Sequence, residues 1–557
     1  MFKKTSKASQ LDVFGNILSL LDENSLKQYN EDSSWHNQFR EQIVMRMKEE
    51  SYSVLFNDKM GAPNSSIRTL ISMMILKDAC GWSDSQLFEQ SRFNLLVRSA
   101  LGLFNITDPL PVNSTYYLLR KRIYEYEKKS GRDLLQETFS QITREQIKEF
   151  EVDGKSIRMD SKLIGSNIAY FSRFEVVHLT LCDYIKKLGT KSTLKLSDAD
   201  RLLINEIAGE DSQKIVYRST KDEIKLRMIN LGLLIYKVLR TNSADKSEDF
   251  QLLQRVFDEQ YKVQQDQQVE LRTKEEISSG SVQSPNDTDC AYANKKNTPV
   301  KGYSANITET CSEEGLNLIT NVQVEKANVA DNSFVQAAIK STEEVTNQKV
   351  QSAYMDGAFH SQGNEEFCKD IDMVLTGLQG FQPRFDLELI SECLMVTNNQ
   401  TGECIKAELS KKTKRTKQQR WRIPKEKGYY YFDEKAIVAA SLRRKIKNRS
   451  QQELQKRNNV EATIFQLSYY LRKDKTKYRG IIKQRIWAVC RCLWINLVRI
   501  IKYTKRTYQK APLQSIKTAF PFFLYQNLNI KRVFNPKRNT KCVFLKLVCC
   551  FLFIPCL

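Results

Sequence analysis

The chain has 557 residues, 41% of them hydrophobic and 27% charged. That balance excludes a disordered polymer and points to a globular protein of roughly three or four domains. Lysine and arginine outnumber aspartate and glutamate 87 to 65, giving a net charge of +22 and a pI of about 9.3, which suits a polyanionic partner, either nucleic acid or an anionic membrane surface. The 13 cysteines are scattered without a CxxC pair and there are only three histidines, His36, His178 and His360. A disulfide framework, a zinc ribbon and a histidine-rich metal site are therefore excluded, and a reducing, cytoplasmic setting is expected.

The first residues, Met1 to Lys7, are charged but no apolar run follows that could serve as a signal peptide. Residues 10 to about 145 carry apolar side chains at helical spacing, as in Ile67, Leu70, Ile71, Met74 and Ile75, then Leu87, Phe88, Leu95 and Leu96. Gly61-Ala62-Pro63 separates an amphipathic leader from this unit, Ser83 is a natural N-cap before Leu87, and Pro109 and Pro111 break the pattern before Tyr116. Residues 1–147 are thus expected to be an all-α N-terminal domain.

The texture changes at 148–168, where Phe150, Val152, Ile157, Leu163 and Ile164 alternate with Asp and Gly as in a first strand or hairpin. Residues 169–277 return to helix, an insert whose most apolar part is Leu231 to Leu239, and 278–297 read as a Ser/Asn/Asp-rich connector. From 298 to 502 come strand candidates at Gly302–Thr308 and Leu316–Val324 and a helix over Phe334–Val345. A short buried strand, Ser352–Met355, then runs into Asp356-Gly357, and Ile371–Leu375 forms another. Lys411 to Lys425 is the densest basic run, and two long helices follow, Asn448–Arg472 and Ile481–Lys502. The tail, 503–557, is basic and then apolar; its last run, Val543 to Leu557, is shorter than the roughly 20 residues of a spanning helix, so no membrane partner is expected. Without the insert, the order of elements is that of an RNase H-like α/β domain.

A carboxylate at the carboxyl end of a buried strand is where open α/β sheets present chemistry. Asp356 stands there, although Asp-Gly is also an ordinary turn. Asp160 in the first strand and Glu461 in the penultimate helix complete a possible set of three carboxylates, the oxygen ligands that Mg²⁺ prefers. Two such ions can activate a water or a 3′-hydroxyl and stabilise a leaving phosphodiester oxygen. Arg457 lies one helical turn before Glu461, so the two share a face: they form either an exposed ion pair or a metal ligand beside a phosphate contact. Asp153 competes for the place of the first acid; Asp287 and Asp289 rank lower because they lie in the connector.

Taken together, these residues resemble those of the DDE transposases of bacterial insertion sequences, in the branch that has an N-terminal helical domain before an RNase H-like core. The resemblance spans residues 35 to 502. It rests on Gly61-Ala62-Pro63, Gly81-Trp82-Ser83-Asp84, Leu101-Gly102-Leu103, Asp108-Pro109, Ser114-Thr115 and Arg120-Lys121-Arg122. It continues in Asp160-Ser161-Lys162-Leu163-Ile164, Asp356-Gly357, Arg457 with Glu461, Tyr478-Arg479-Gly480 and Asn496-Leu497. It departs from the related pattern at Leu454 and Ser468, where tyrosine and lysine would stand, so the DNA contacts those residues make do not transfer.

The resemblance implies a transposase that binds double-stranded DNA at the terminal inverted repeats of its element and works as a homodimer in the bacterial cytoplasm, at the nucleoid; the alternatives are an RNase H-fold DNA nuclease that cuts without joining and a DNA-binding relic whose active site has decayed. Asp160, Asp356 and Glu461 would be the transposase's catalytic residues, holding two Mg²⁺ ions for which Mn²⁺ can substitute. DNA contacts would come from Arg457, Lys411, Lys412, Lys414, Arg415, Lys417, Arg420, Trp421, Arg422 and Arg479. Trp421 would either stack on an unpaired base or anchor its loop to the sheet.

Overall fold

The computed structural model describes residues 1–4, 17–57, 61–188, 197–265, 268–295, 297–313, 315–378, 383–390, 393–412, 419–424 and 426–510. The chain divides into a compact unit, Met1–Thr504, and a second, Lys505–Leu557, of which only the end of one helix is described.

The first unit opens on short helices, α1 (Glu23–Tyr29) and α2 (Trp35–Phe39), followed by α3 (Ile67–Cys80), α4 (Asp84–Phe93), α5 (Leu95–Ala100), α6 (Asn113–Ser130) and α7 (Leu134–Glu149). Helix α3 is buried all the way round, from Ile67 to Ala79, which makes it the centre of this unit rather than a surface helix. Gly81 ends it at φ 67°, and a Cβ there would come within 2.9 Å of Tyr470. Ser83 caps α4 in a reciprocal capping box with Gln86, as its position before Leu87 predicts.

The central sheet is mixed. Strand β1 (Ser156–Gly165) is followed by α8 (Arg173–Leu188), α9 (Asp198–Gly209), α10 (Ser212–Arg218), α11 (Lys221–Thr241) and α12 (Glu248–Gln260), which bury their own core around Leu181, Leu234, Leu253 and Phe257. This insert ends not in helix but in a hairpin, β2 (Tyr261–Val263) with β3 (Val269–Leu271). The connector also ends as strand: β4 (Ala291–Lys295) pairs with the start of β5 (Thr298–Thr310). Strand β6 (Ile319–Lys326), helix α13 (Val335–Thr346), strand β7 (Ser352–Met355), helix α14 (Gln362–Phe367) and strand β8 (Asp372–Leu375) complete the sheet.

Its order is β6-β5-β1-β7-β8, with β4 on the same edge of β5 as β6. β6 and β5, and β5 and β1, are antiparallel; β1 and β7, and β7 and β8, are parallel. One face, with Ile157, Met159, Ala353 and Met355, packs on Phe334, Val335 and Ile339 around α13. The other, with Ile164, Tyr303, Ala305 and Ile307, joins the N-terminal helices and Trp487, Val489 and Leu493 in one continuous core. Residues 1–147 therefore share their interior with the sheet.

Two features of 298–502 depart from expectation. Between β8 and the late helices lie two three-stranded antiparallel sheets, β9 (Phe385–Ile390), β10 (Cys393–Asn398) and β11 (Cys404–Lys406), then β12 (Glu408–Lys412), β13 (Gln419–Arg422) and β14 (Tyr430–Phe432). They close a separate core on Leu387, Leu394, Val396, Trp421 and Ile423. A helix not expected from the sequence, α15 (Glu434–Asn448), comes first; the single helix expected over Asn448–Arg472 is then two pieces, α16 (Gln451–Gln455) and α17 (Asn458–Ser468), broken at Lys456 and Arg457, and α18 (Ile481–Lys510) follows. Asn496 of α18 pairs with the backbone of Ile319 like an added strand residue, its Oδ1 accepting from the amide at 2.8 Å and its Nδ2 donating to the carbonyl at 3.0 Å. That ties α18 to β6.

Candidate active site

On β1 the side chains of Arg158, Asp160 and Lys162 alternate onto the face that α17 covers. Each makes its own contact with that segment. Arg158 Nη1 donates to the carbonyl of Lys456 at 3.2 Å, Asp160 Oδ2 lies 3.3 Å from Arg457 Nη2, and Lys162 Nζ donates to Ser468 Oγ at 2.9 Å. Strand and helix are thereby held side by side along their length, with Glu461 in the first turn of α17.

Asp356 follows β7 directly, two residues after Tyr354, which is paired with Arg158 across the sheet. Asp356 opens a 3-10 turn, Gly357–Phe359, in which the Phe359 amide donates to the Asp356 carbonyl at 3.0 Å, as the Asp-Gly pair suggests. The glycine also answers to space: a Cβ on Gly357 would fall 2.0 Å from the carbonyl oxygen of Gly377, so the ends of β7 and β8 close together only with glycine there.

The three acids meet at one guanidinium. Arg457 Nη2 lies 3.3 Å from Asp160 and 3.8 Å from Asp356, while Nη1 lies 3.2 Å from Glu461 Oε1. The Arg457 side chain is 12% exposed and that of Asp160 16%, whereas Asp356 and Glu461 are 48% and 60% exposed. One cation thus serves three anions in a site open on the side of Asp356 and Glu461. Burial pushes the Asp160 carboxyl above the ordinary aspartate range; Arg457, the Ser161 amide and Lys295 oppose that rise without cancelling it. Arg457 Nε is buried without a hydrogen-bond partner. Among the described residues, no group of three His, Cys, Asp or Glu side chains is gathered closely enough to hold a metal ion; the acids converge on Arg457 instead. As donors, three carboxylates still form the all-oxygen set suited to a hard dication.

The competing acids are engaged elsewhere. Asp153 accepts from the Lys155 amide at 3.0 Å in the turn before β1. Asp287 is buried against Tyr303 Oη, at 2.6 Å, and Ser166, and Asp289 accepts from the Ile481 amide at the start of α18 at 3.3 Å. That last contact puts a carboxylate where an anion would bind to the helix N-terminus. The two departing positions have local duties: Leu454 packs against the cluster of Tyr354 and Val374, and Ser468 receives Lys162.

The basic residues separate. Lys411 and Lys412 lie on β12, and Arg420 and Arg422 on β13; Lys414, Arg415 and Lys417 lie outside the described residues. Arg422 is exposed opposite Glu408, and the Arg420 guanidinium lies 3.6 Å from the centre of the Tyr429 ring. Trp421, expected among the DNA-contacting side chains, is corrected here. It is 4% exposed in the core of the two small sheets, so it anchors the basic hairpin and offers no face to a base. Arg479 is exposed and its Nε donates to the carbonyl of Asn167 at 2.7 Å. Lys77 and Arg120, both paired with Asp84, lie over the ring of Tyr478, whose hydroxyl donates to Asp78 at 2.6 Å, joining the N-terminal helices to the segment before α18.

The sequence reading did not single out Glu309. It sits on β5 opposite Arg158, fully buried, and meets Arg158, Arg499 and Thr463. Its only sequence signal is a charged residue inside a run otherwise fit for a buried strand.

Against known families, residues 31–122 match the model of a transposase domain (DUF772). The matched stretch runs from the loop before α2 into α6 and is well under half of the chain; it supports a transposase family and leaves all three acids outside. No curated protein and no solved structure gives a match. Among the described residues no helix is long and apolar enough to cross a membrane.

Proposed function

We propose that this chain is an insertion-sequence transposase of the DDE type, which binds the ends of its element as a dimer and cuts and joins DNA strands there. The observation that carries this reading is the convergence of Asp160, Asp356 and Glu461, from two strands and a helix, on the single guanidinium of Arg457. The strand order β6-β5-β1-β7-β8, with its antiparallel first half and parallel second half, supports an RNase H-like core. The transposase-domain match at 31–122 and the net charge of +22 support a DNA substrate.

Asp160, Asp356 and Glu461 would hold Mg²⁺, or Mn²⁺ in its place. Two such ions supply activation of a water or 3′-hydroxyl and neutralise the leaving oxygen. The residues themselves contribute placement and charge. Asp160, the most enclosed acid, is fixed by β1 and by the Ser161 amide at 2.9 Å, whereas Asp356 and Glu461 face the open side where a phosphodiester can approach. Arg457, whose two terminal nitrogens reach all three acids, supplies charge-assisted hydrogen bonds to a phosphate oxygen. Lys411, Lys412 and Arg422 contribute backbone contacts that give affinity with little sequence information.

The test is cleavage and strand transfer of labelled DNA carrying the element's ends, with Mg²⁺ or Mn²⁺, comparing wild type with Asp356→Ala and Glu461→Ala. Loss of both activities in both variants, with end binding retained, is the expected result. Cleavage without joining in the wild type would make the protein a nuclease. Unchanged activity in either variant would remove that acid from the site.

A further inference from the structure

We infer that Glu309 is a positioning residue for this site: through Thr463 and Arg158 it fixes where Glu461 stands relative to Asp160. The inference rests on reading Glu461 as one of the three metal-holding acids.

Glu309 lies on β5, directly across from Arg158 on β1, and its side chain is 0% exposed. One carboxylate oxygen takes Arg158 Nε. The other accepts from Thr463 Oγ1 at 2.7 Å and pairs with Arg499 Nη2 at 2.7 Å. Each partner leads to the site by a short path. Thr463 stands two residues after Glu461 on α17. Arg158 stands two residues before Asp160 on β1, and its Nη1 donates to the carbonyl of Lys456, the residue before Arg457. Arg499 brings in α18 and also bonds Thr463. One buried carboxylate therefore joins the strand of Asp160, the helix of Glu461 and the last long helix.

The need for such a tie follows from the break before α17. Helix α16 ends at Gln455, α17 starts at Asn458, and Arg457 at its N-cap makes no side-chain capping bond to the helix backbone. Lys162 on Ser468 and Arg491 on the carbonyls of Gln466 and Leu467 hold the far end of α17, but its start, where Glu461 stands, has no side-chain cap beside the discontinuity, and rotation there would carry Glu461 away from the other acids. The Arg158 contact pins the start of the segment, and Thr463 pins the buried side of the turn whose exposed side is Glu461. Apolar packing by Val460 and Leu467 would favour the helix without specifying its rotation as sharply as a directional bond to a buried charge.

The experiment works through Thr463, because replacing Glu309 strands two guanidiniums and threatens the fold. Thr463→Val removes the hydroxyl at constant shape, and Thr463→Ser keeps it. In the full-length protein, hydrogen exchange over 458–468 should quicken about tenfold in Thr463→Val and return to wild type in Thr463→Ser, with α3 unchanged in all three. Mn²⁺ binding, read by electron paramagnetic resonance, should weaken about tenfold in Thr463→Val. Cleavage should slow through kcat, with KM for end DNA unchanged; Thr463→Ser should restore both. Exchange indistinguishable between Thr463→Val and wild type overturns the inference, as does failure of Thr463→Ser to rescue. So does altered exchange with unaltered Mn²⁺ binding, provided that Asp356→Asn has lost the ion. If Asp356→Asn binds Mn²⁺ as wild type does, the reading of the acids fails, and the exchange data still decide whether Thr463 places the helix.

Discussion

The acid site and the Glu309 cluster lie on the same face of one sheet and use the same two kinds of charged side chain in opposite proportion. Around Arg457 three carboxylates share one guanidinium, and two of the three acids are about half exposed. Around Glu309 two guanidiniums share one carboxylate that has no exposure, and a threonine hydroxyl completes its bonds. A buried charge persists only when its partners and hydrogen bonds repay desolvation, and the sealed cluster meets that condition internally. The open site does not: its anions are in excess, the Asp160 carboxyl is pushed up by burial, and Arg457 keeps an unpaired donor. An imbalance of this sign is relieved by a cation from outside and by an anion for the freed guanidinium. On the proposed reading, the contrast separates charges that support the fold from charges left for a substrate.

The contrast can be broken from either side. The largest effect is expected in the open site: Asp356→Asn or Glu461→Gln should lower cleavage by about 10³-fold or more, measured on end DNA, with little change in thermal stability because both side chains are half exposed. In the sealed cluster stability should also fall. Glu309→Ala should cost about 3–5 kcal/mol of stability, because it leaves buried guanidiniums unpaired, and chemical denaturation should show it.

Asp78 offers a third, intermediate case at the joint between the N-terminal helices and Tyr478. Burial pushes its carboxyl up to about 6, although Tyr478 donates to it. A carboxyl whose folded pKa is raised costs stability when ionised, fully so above that pKa, and the cost fades as pH falls through it toward the unfolded value. Asp78→Asn should therefore raise stability by ~2 kcal/mol near pH 7.5, with the gain shrinking as pH falls through about 6; melting curves across pH decide it. For Arg457→Gln, the rise in melting temperature on adding Mg²⁺ should exceed that of wild type, since the acids then lack their internal counter-charge. The smallest effect belongs to Arg422→Ala, which should change stability by less than about 0.5 kcal/mol while lowering DNA affinity and flattening its salt dependence.

How much of this was legible depended on distance along the chain. Ser352–Met355 could be read from four residues of strand pattern ending in Asp-Gly, and Arg457 could be paired with Glu461 because one helical turn separates them. The capping box at Ser83 is equally local. The small sheets between 385 and 432 were hidden because their strands are short, and those of the second sheet are polar and basic, so that Trp421 between Arg420 and Arg422 could be read as a base contact as readily as an anchor. Its burial depends on Phe385, Leu394 and Val396, which no local pattern links to it. The helix break at Lys456 carries neither proline nor glycine, so the apolar periodicity ran straight through it. Glu309 was least visible: each of its partners is more than a hundred residues away, and a lone glutamate in a strand says nothing about which charges will surround it.

The long reach of the Glu309 cluster has a consequence for biosynthesis. A ribosome delivers β1 and its Asp160 well before it delivers Arg499, on the order of tens of seconds at ordinary elongation rates. Until α18 emerges, Glu309 lacks one of its cations, and the helix that carries Glu461 lacks the partner it shares with Arg499. The nascent chain can thus pair its strands while the site is still in pieces, and the N-terminal helices wait for Trp487, Val489 and Leu493 of α18 to complete their core. On the proposed reading, competence for chemistry on DNA would arrive only once α18 has been made.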